Sequence, residues 1–395
     1  MPYPKIRLKP KRDSVLRNGH PWLFSGAIAS KESGIEPGDI VEAVSMDGQK
    51  LGLGFYHPAT DIAFRLLTRD CDQTIDANFW RKRILSAKQI REMLIPPDTD
   101  AFRLINAEGD FLPGLIVDRY ANTLVVSFQT AGIEKHRDTL LELLDELIHL
   151  DAIYERSETR ARQREGMTGR QGWISGNHPE GTVPIRENGL VFEVDVVEGQ
   201  KTGFFLDQRP NRQWVRMLSA DKTVLNCFSY TGGFSVYAAA GGAKRVISVE
   251  TSKNANALAA INLARNGYSD TDHPIIAADV FKFLRDEKAS FDMIILDPPA
   301  FAKTKHEISR ATHGYKEINR QAMMRLDHGG LLLTFSCSNH IDSELFRKIV
   351  IGAAQDAKKN VHLLQTLGPG PDHSTLLPHT EGSYLKGLLL SVEND

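Results

Sequence analysis

Four apolar runs in the C-terminal half end on a polar or acidic residue. Glu250 closes RVISVE, Asp279 closes PIIAAD, Asp297 closes DMIILD and Ser336 closes LLLTFS, with Cys337 directly after it. Carboxylates at such positions accept hydrogen bonds from hydroxyls and amines, and a thiol there can act as a nucleophile once ionised. Glu250 follows Gly233 by 17 residues, close to the spacing at which an acid meets the hydroxyls of a ribose. Singly, each acid serves equally well as a solvated strand end. Together with the turn Ser229-Tyr230-Thr231-Gly232-Gly233-Phe234 they favour an adenosine-type cofactor. In that reading Thr231 caps the next helix and Asp279 accepts from an adenine amino group.

Asp297-Pro298-Pro299 holds its acid in a rigid extended turn, a device that a purely structural loop uses as well. Cys337, in FSCSNH, is read either as a small hydrophobe or as a nucleophile. Cys227, inside the run TVLNCF, reads as packing, and Cys71 lies among acids that disfavour a thiolate. Three widely spaced cysteines fit neither a metal knuckle nor a disulfide framework, so no metal site is expected. The pattern G-x-G-x-x-G is absent, which weighs against a nicotinamide or flavin cofactor.

These side chains need a scaffold. From about residue 190, apolar strands alternate with helical runs: TVLNCF, RVISVE, PIIAAD, DMIILD, LLLTFS and, near the end, YLKGLLLSV. Alternation of this kind builds a parallel α/β sheet, whose ligands bind beyond the carboxyl ends of the strands. Residues 1–72 read as short strands separated by turns such as Glu36-Pro37-Gly38-Asp39, a small β-barrel. Residues 73–188 read as a middle α+β domain, opened by helical spacing over 78–95 and closed by an Arg- and Gly-rich stretch, 159–182, read as a loop or linker. The third domain then covers 189–395.

With 395 residues, 41% hydrophobic and 25% charged, the chain can form two or three ordinary globular cores. It contains no apolar run of membrane-spanning length and no secretory leader, so the expected location is cytoplasmic, with no membrane partner. Its 48 basic residues against 50 acidic ones exclude indiscriminate polyanion binding, yet residues 1–20 carry six Lys or Arg against Asp13 alone.

Taken together, NCFSYTGGF, SVE, AAD, LDPPAF and FSCSNH resemble the ordered motifs of class I S-adenosylmethionine-dependent methyltransferases. KTGFFLDQRPNR, GYKEIN and the cysteine of FSCS are similar to the RlmI family of 23S rRNA cytosine-5 methyltransferases. The resemblance runs over nearly the whole chain, since that family carries a PUA barrel, a middle α+β domain and a Rossmann-like methyltransferase domain. It implies S-adenosylmethionine held by Phe205, Asn226, Phe228, Tyr230, Thr231, Gly232, Gly233, Phe234, Glu250, Ser252, Asp279, Val280, Phe281, Asp297 and Pro298. Asp297 would lie between cofactor and base, and Cys337 would be the nucleophile.

Ser252 also reads as a helix N-cap. Arg209, Arg212, Lys303, Tyr315 and Lys316 are the implied RNA contacts, although a solvated helix face serves Arg209 and Arg212 as well. Asp207 reads as a helix N-cap, and Phe204-Phe205 either as a lid over the cofactor or as core. Relatives commonly carry Lys after Pro-Pro where this chain has Ala300, so a basic contact is absent there or falls to Lys303 or Lys305. The implied partner is 23S rRNA, with a homodimer left open. Two other functions fit the residues: a base-nitrogen methyltransferase that uses Asp-Pro-Pro without a thiol, and a non-catalytic RNA-binding assembly factor.

Overall fold

The computed structural model describes residues 3–176, 179–302 and 304–394, without the side chains of Lys305 and Asn394. Contacts divide the chain into two compact units. One comprises 1–185, 194–206 and 371–382; the other comprises 186–193, 207–370 and 383–395.

The first unit holds two sheets. Six strands run in the spatial order Trp22–Phe24, Ile62–Thr68, Lys50–Tyr56, Ile40–Val44, Lys5–Leu8, Ile28–Lys31, around a core that includes Ile6, Leu23, Val41 and Phe64. Five more follow the order Gln171–Gly176, Ala152–Arg156, Thr123–Phe128, Leu115–Tyr120, Ala101–Asn106. Helices Ala77–Leu94 and Arg137–Ile148 bury Trp80, Ile84, Leu140 and Leu144 in the core of this second sheet. The two sheets share one unit because the turn at Gly38 packs directly on the Ala131 backbone, and Phe55 stacks on both Trp80 and His136, whose own rings are tilted to each other.

The late segments join this unit through buried polar bonds. Thr202 Oγ1 donates to Asp118 at 2.6 Å, and Asp372 accepts from the Arg103 amide at 3.0 Å. The stretch read as a linker is ordered: it forms helix Arg160–Arg164 and strand Gln171–Gly176. Arg162 explains part of this, since its buried guanidinium donates to Glu134, the Phe128 carbonyl and the Thr168 carbonyl.

The second unit is a doubly wound α/β sheet. Its strands are β1 (Thr223–Cys227), β2 (Arg245–Glu250), β3 (Ile275–Ala277), β4 (Phe291–Leu296), β5 (Leu326–Ser336), β6 (Lys359–Leu367) and β7 (Lys386–Asn394). The spatial order is β3-β2-β1-β4-β5-β7-β6, parallel except for β7, which runs antiparallel to both neighbours. The interleaved helices are α1 (Arg209–Leu218), α2 (Gly233–Ala240), α3 (Lys253–Arg265), α4 (Val280–Asp286), α5 (Ile308–Met324) and α6 (Ser343–Ala357).

Helices on both faces explain why the central strands read as near-continuous apolar runs: in β4 only Asp292 escapes full burial. Strand order reverses between β1 and β4, so the binding crevice of such a sheet opens beyond their carboxyl ends. Register keeps these ends level, with Cys227 opposite Leu296, Leu296 opposite Thr334, and Ser336 opposite Lys386. The strand β6 went unread in the sequence because most of its side chains are exposed. Among the described residues, no helix is long and apolar enough to cross a membrane.

Candidate methyl-transfer site

The loop after β1 departs from ordinary backbone geometry. Phe228, Tyr230 and Gly232 all have positive φ, at 57°, 48° and 77°. For the two aromatic residues this costs about 1–2 kcal/mol each, and such strain concentrates where a ligand is held. Gly232 is the N-cap of α2, and a Cβ on it would come within 3.1 Å of Ala259 on α3. The expected Thr231 cap is therefore corrected: a left-handed glycine already opens the helix, and no side chain caps it.

Freed from capping, Thr231 Oγ1 is buried without a partner among the described residues, as are Ser229 Oγ and Asn226 Oδ1. Three unsatisfied buried oxygens at one strand end fit a bound polar ligand, since leaving them unpaired is costly. The rest of the wall is braced. Asn226 Nδ2 donates to Ser235 Oγ at 2.8 Å, Ser235 and Ser248 share a bond of 2.7 Å, and Asn262 Nδ2 donates to the Thr231 carbonyl at 2.9 Å. Gly233 and Phe234 are buried at the start of α2.

Glu250 ends β2 as expected. Its Oε1 accepts from the Thr251 and Ser252 amides and the Thr251 hydroxyl, while among the described residues Oε2 accepts only from the Tyr230 amide at 3.2 Å. That leaves Oε2 the freer acceptor for a diol. Ser252 is the N-cap of α3, accepting from Ala255. Asp279 caps α4 through Lys282 at 2.9 Å, two residues beyond the short strand β3. Val280 is buried, and Phe281 lies between Phe228 and Phe301, at ring separations of 6.5 and 5.9 Å.

The chemistry-bearing ends of β4 and β5 meet. Asp297 is half-buried directly after β4, and Cys337 Sγ is directed at the Pro298 carbonyl oxygen, 3.9 Å away. Cys337 is half-buried, whereas Cys227 is enclosed and its thiol is pushed up by burial. The thiol of Cys71 is also raised, by burial first and then by Glu42 and neighbouring acids.

The residues flanking Cys337 are fixed. Ser338 Oγ is bonded to the Tyr315 hydroxyl at 3.0 Å and accepts from the Ala302 amide at 3.2 Å; the Ser338 carbonyl accepts from Lys386 Nζ at 2.8 Å. Lys386 is buried on β7, where desolvation pulls its ammonium down to about 8 against the opposing charges of Cys337 and Asp342. The sequence reading missed Lys386. Its signal was a single lysine interrupting the apolar run YLKGLLLSV.

Several other expectations are corrected by burial. Arg212 is enclosed and clamped by Glu187 through two bonds of 2.7 Å, and Arg209 is buried, so neither presents a surface to RNA. Tyr315 is fully buried against Ser338, whereas Lys316, paired with Asp356 at 2.8 Å, stays partly exposed and is not corrected by burial. Lys303 and the side chain of Lys305 lie outside the described residues. Asp207 does not cap α1, whose N-cap is Gln208; its carboxylate instead accepts from the Tyr384 hydroxyl. Phe204 is core of the first unit, beside the Tyr120 hydroxyl, and Phe205 lies in the same unit under the Lys201 ammonium at 4.5 Å.

Comparison with known proteins agrees with this geometry. A family model described as S-adenosylmethionine-dependent methyltransferase matches residues 117–390, and one described as a PUA-like domain matches 6–69. The ribosomal RNA large subunit methyltransferase I of Shewanella denitrificans is 45% identical over 98% of this chain and 99% of its own length. The protein of the same name from an Enterobacter species is 42% identical, over 98% of both. A solved chain described as a methyltransferase complexed with SAH matches with a TM-score of 0.86 and 25% identity, over 98% of this chain and 99% of that one. A Streptococcus mutans chain of the same coverage, 24% identical with a TM-score of 0.84, shares the fold. The chain belongs to the S-adenosylmethionine-dependent methyltransferases, in the family of the ribosomal RNA large subunit methyltransferase I enzymes.

Proposed function

We propose that this enzyme methylates carbon 5 of a cytosine in 23S ribosomal RNA through a covalent bond to Cys337. The observation that carries the reading is the approach of the Cys337 thiol to the Asp297-Pro298-Pro299 turn at the crevice of the sheet. The name shared by the relatives supports large-subunit ribosomal RNA as the substrate.

When bound, S-adenosylmethionine supplies a methyl group on a sulfonium. The unpaired oxygens of Asn226, Ser229 and Thr231 suit its amino-acid end, with Tyr230 to Phe234 as the wall. Glu250 Oε2 would take the ribose, and Asp279, Val280 and Phe281 the adenine. Ser252 contributes through α3, and Pro298 by fixing Asp297.

Carbon 5 of cytosine is too electron-poor to be alkylated unaided. Cys337 adds its sulfur to carbon 6, and the carbon 5–carbon 6 π pair becomes available at carbon 5. Asp297, in its acid form, would donate its proton to the ring nitrogen that gains electron density on addition, while its other oxygen accepts from the exocyclic amine, stabilising the adduct. Once the methyl group has passed to carbon 5, leaving a neutral thioether behind, a water molecule acting as base takes the carbon 5 proton, that C–H pair re-forms the C5–C6 double bond, and the S–C6 bond breaks to release the thiolate. Both faces of the ring must be reachable, so the base is single-stranded or flipped out, at a cost of a few kcal/mol.

The six basic residues near the N-terminus favour RNA backbone contact. The reading places the enzyme in the cytoplasm and divides it into a barrel at 1–72, a middle domain at 73–188 and a catalytic domain at 189–395. The test is Cys337→Ala: methyl transfer should fall below detection while S-adenosylmethionine still binds. Full activity in that variant would remove the nucleophile and favour a base-nitrogen target.

A further inference from the structure

We propose that Lys386 is the positioning residue for Cys337: its buried ammonium fixes the turn that presents the sulfur and supplies the positive charge that favours the thiolate. The proposal rests on the reading of Cys337 as nucleophile.

The geometry starts from register. Strand β7 runs antiparallel to β5 with Lys386 opposite Ser336, the last residue of β5 before Cys337. Lys386 Nζ reaches past that pair, donating to the Ser338 carbonyl at 2.8 Å and the Tyr384 carbonyl at 2.7 Å. Its residue is 6% exposed, a rare setting for a lysine. Two carbonyls satisfy two of the three donors but bring no formal negative charge. An ammonium left so would carry most of its desolvation penalty.

The ionisable groups in electrostatic range that favour its charge are Cys337, which joins Ser336 to Ser338, and Asp342. Asp342 is the N-cap of α6, with one carboxylate oxygen accepting from the Leu345 amide at 2.7 Å. Tyr315 faces the same turn through its bond to Ser338, its own hydroxyl kept neutral chiefly by burial. On the other side, Tyr384 donates its hydroxyl to Asp207. Cys337 is thus, beside Asp342, a neighbour whose ionisation would balance the buried ammonium, and the one joined to the turn that the lysine holds. A cation held near a thiol is a recognised means of lowering the cost of its ionisation.

The experiment follows alkylation of Cys337 by iodoacetamide against pH, read on its own peptide by mass spectrometry, without RNA or S-adenosylmethionine. In Lys386→Met the midpoint should move up by about one pH unit, with Lys386→Arg staying near the parent. In turnover, Lys386→Met should lower kcat about tenfold near neutral pH while leaving the KM for RNA unchanged. Equal midpoints in the parent and Lys386→Met overturn the proposal. Should Lys386→Met fail to fold, the reciprocal measurement leaves the lysine in place. Coupling between two groups is mutual, so in Cys337→Ala the Lys386 Nζ titration, followed by NMR of lysine labelled at that nitrogen, must move to lower pH. An unmoved titration also overturns it. Neither alkylation nor NMR depends on methyl transfer, so both stand apart from failure of the nucleophile assignment itself.

Discussion

The sulfur of Cys337 and the carbonyl oxygen of Pro298 lie 3.9 Å apart, although 39 residues separate them in the chain. Adjacent parallel strands, in register from Ile294 opposite Leu332 to Leu296 opposite Thr334, bring them together. The proline also sets the backbone that carries Asp297. Pro298→Gly should therefore loosen both partners at once. Because a misplacement of about 1 Å can cost about 100-fold in rate, kcat should fall by one to two orders of magnitude with little change in thermal stability. Unchanged kcat would dissociate the turn from catalysis.

Thr231 separates ligand binding from folding. Its Oγ1 is buried and unpartnered, so Thr231→Val removes an unsatisfied group and should leave the cofactor-free protein as stable or slightly more stable. The same change should weaken S-adenosylmethionine by about 1 kcal/mol, several-fold in Kd by calorimetry. Loss of stability without loss of affinity would contradict the assignment.

Arg212 and Glu187 should behave as structure, not as an RNA contact. Both are fully enclosed, and Arg212→Met would strand the Glu187 carboxylate, costing about 3–5 kcal/mol in denaturant unfolding. A cost under 1 kcal/mol, or a changed salt dependence of RNA binding in a fully stable variant, would argue against it.

The stability of the first unit should depend on pH through His136. Burial against Trp80 and Phe55, with Lys135 adding to it, pulls this imidazole down to about 4 from an ordinary 6.5. The folded protein keeps it neutral, whereas the unfolded chain takes up a proton below 6.5. Stability is thus fully present above pH 6.5 and drains away as pH falls toward 4. At pH 5 the loss is about 2 kcal/mol, and His136→Phe should abolish that part of the slope in urea unfolding compared at pH 7 and pH 5. An identical slope in the variant would show that other groups carry it.

The strand ends could be read from the chain: the apolar runs that stop at Glu250, Asp297 and Ser336 are strands of the sheet, and register brings the ends of the central strands level. What could not be read depends on tertiary partners. Arg212 and Tyr315 carry polar groups that look available in one dimension, and only Glu187 and Ser338 show that they are taken. Thr231 has the composition of a cap, but the left-handed Gly232 occupies that position. Residues 159–182 lack periodicity, yet Arg162 finds two of its acceptors, Glu134 and the Phe128 carbonyl, 28 and 34 residues earlier in the chain. Lys386 stands out in the chain only as one lysine in an apolar run; that it lies opposite Ser336 depends on an antiparallel pairing no local pattern shows.

The central assignment is the sulfur–carbon bond. RNA containing 5-fluorocytosine, incubated with enzyme and S-adenosylmethionine, cannot lose a proton from carbon 5, so an adduct formed there stays closed. A denaturing gel should show a protein–RNA complex that disappears in Cys337→Ala. Efficient methylation of the ordinary RNA with no trapped complex, or a complex that survives loss of Cys337, would contradict the account.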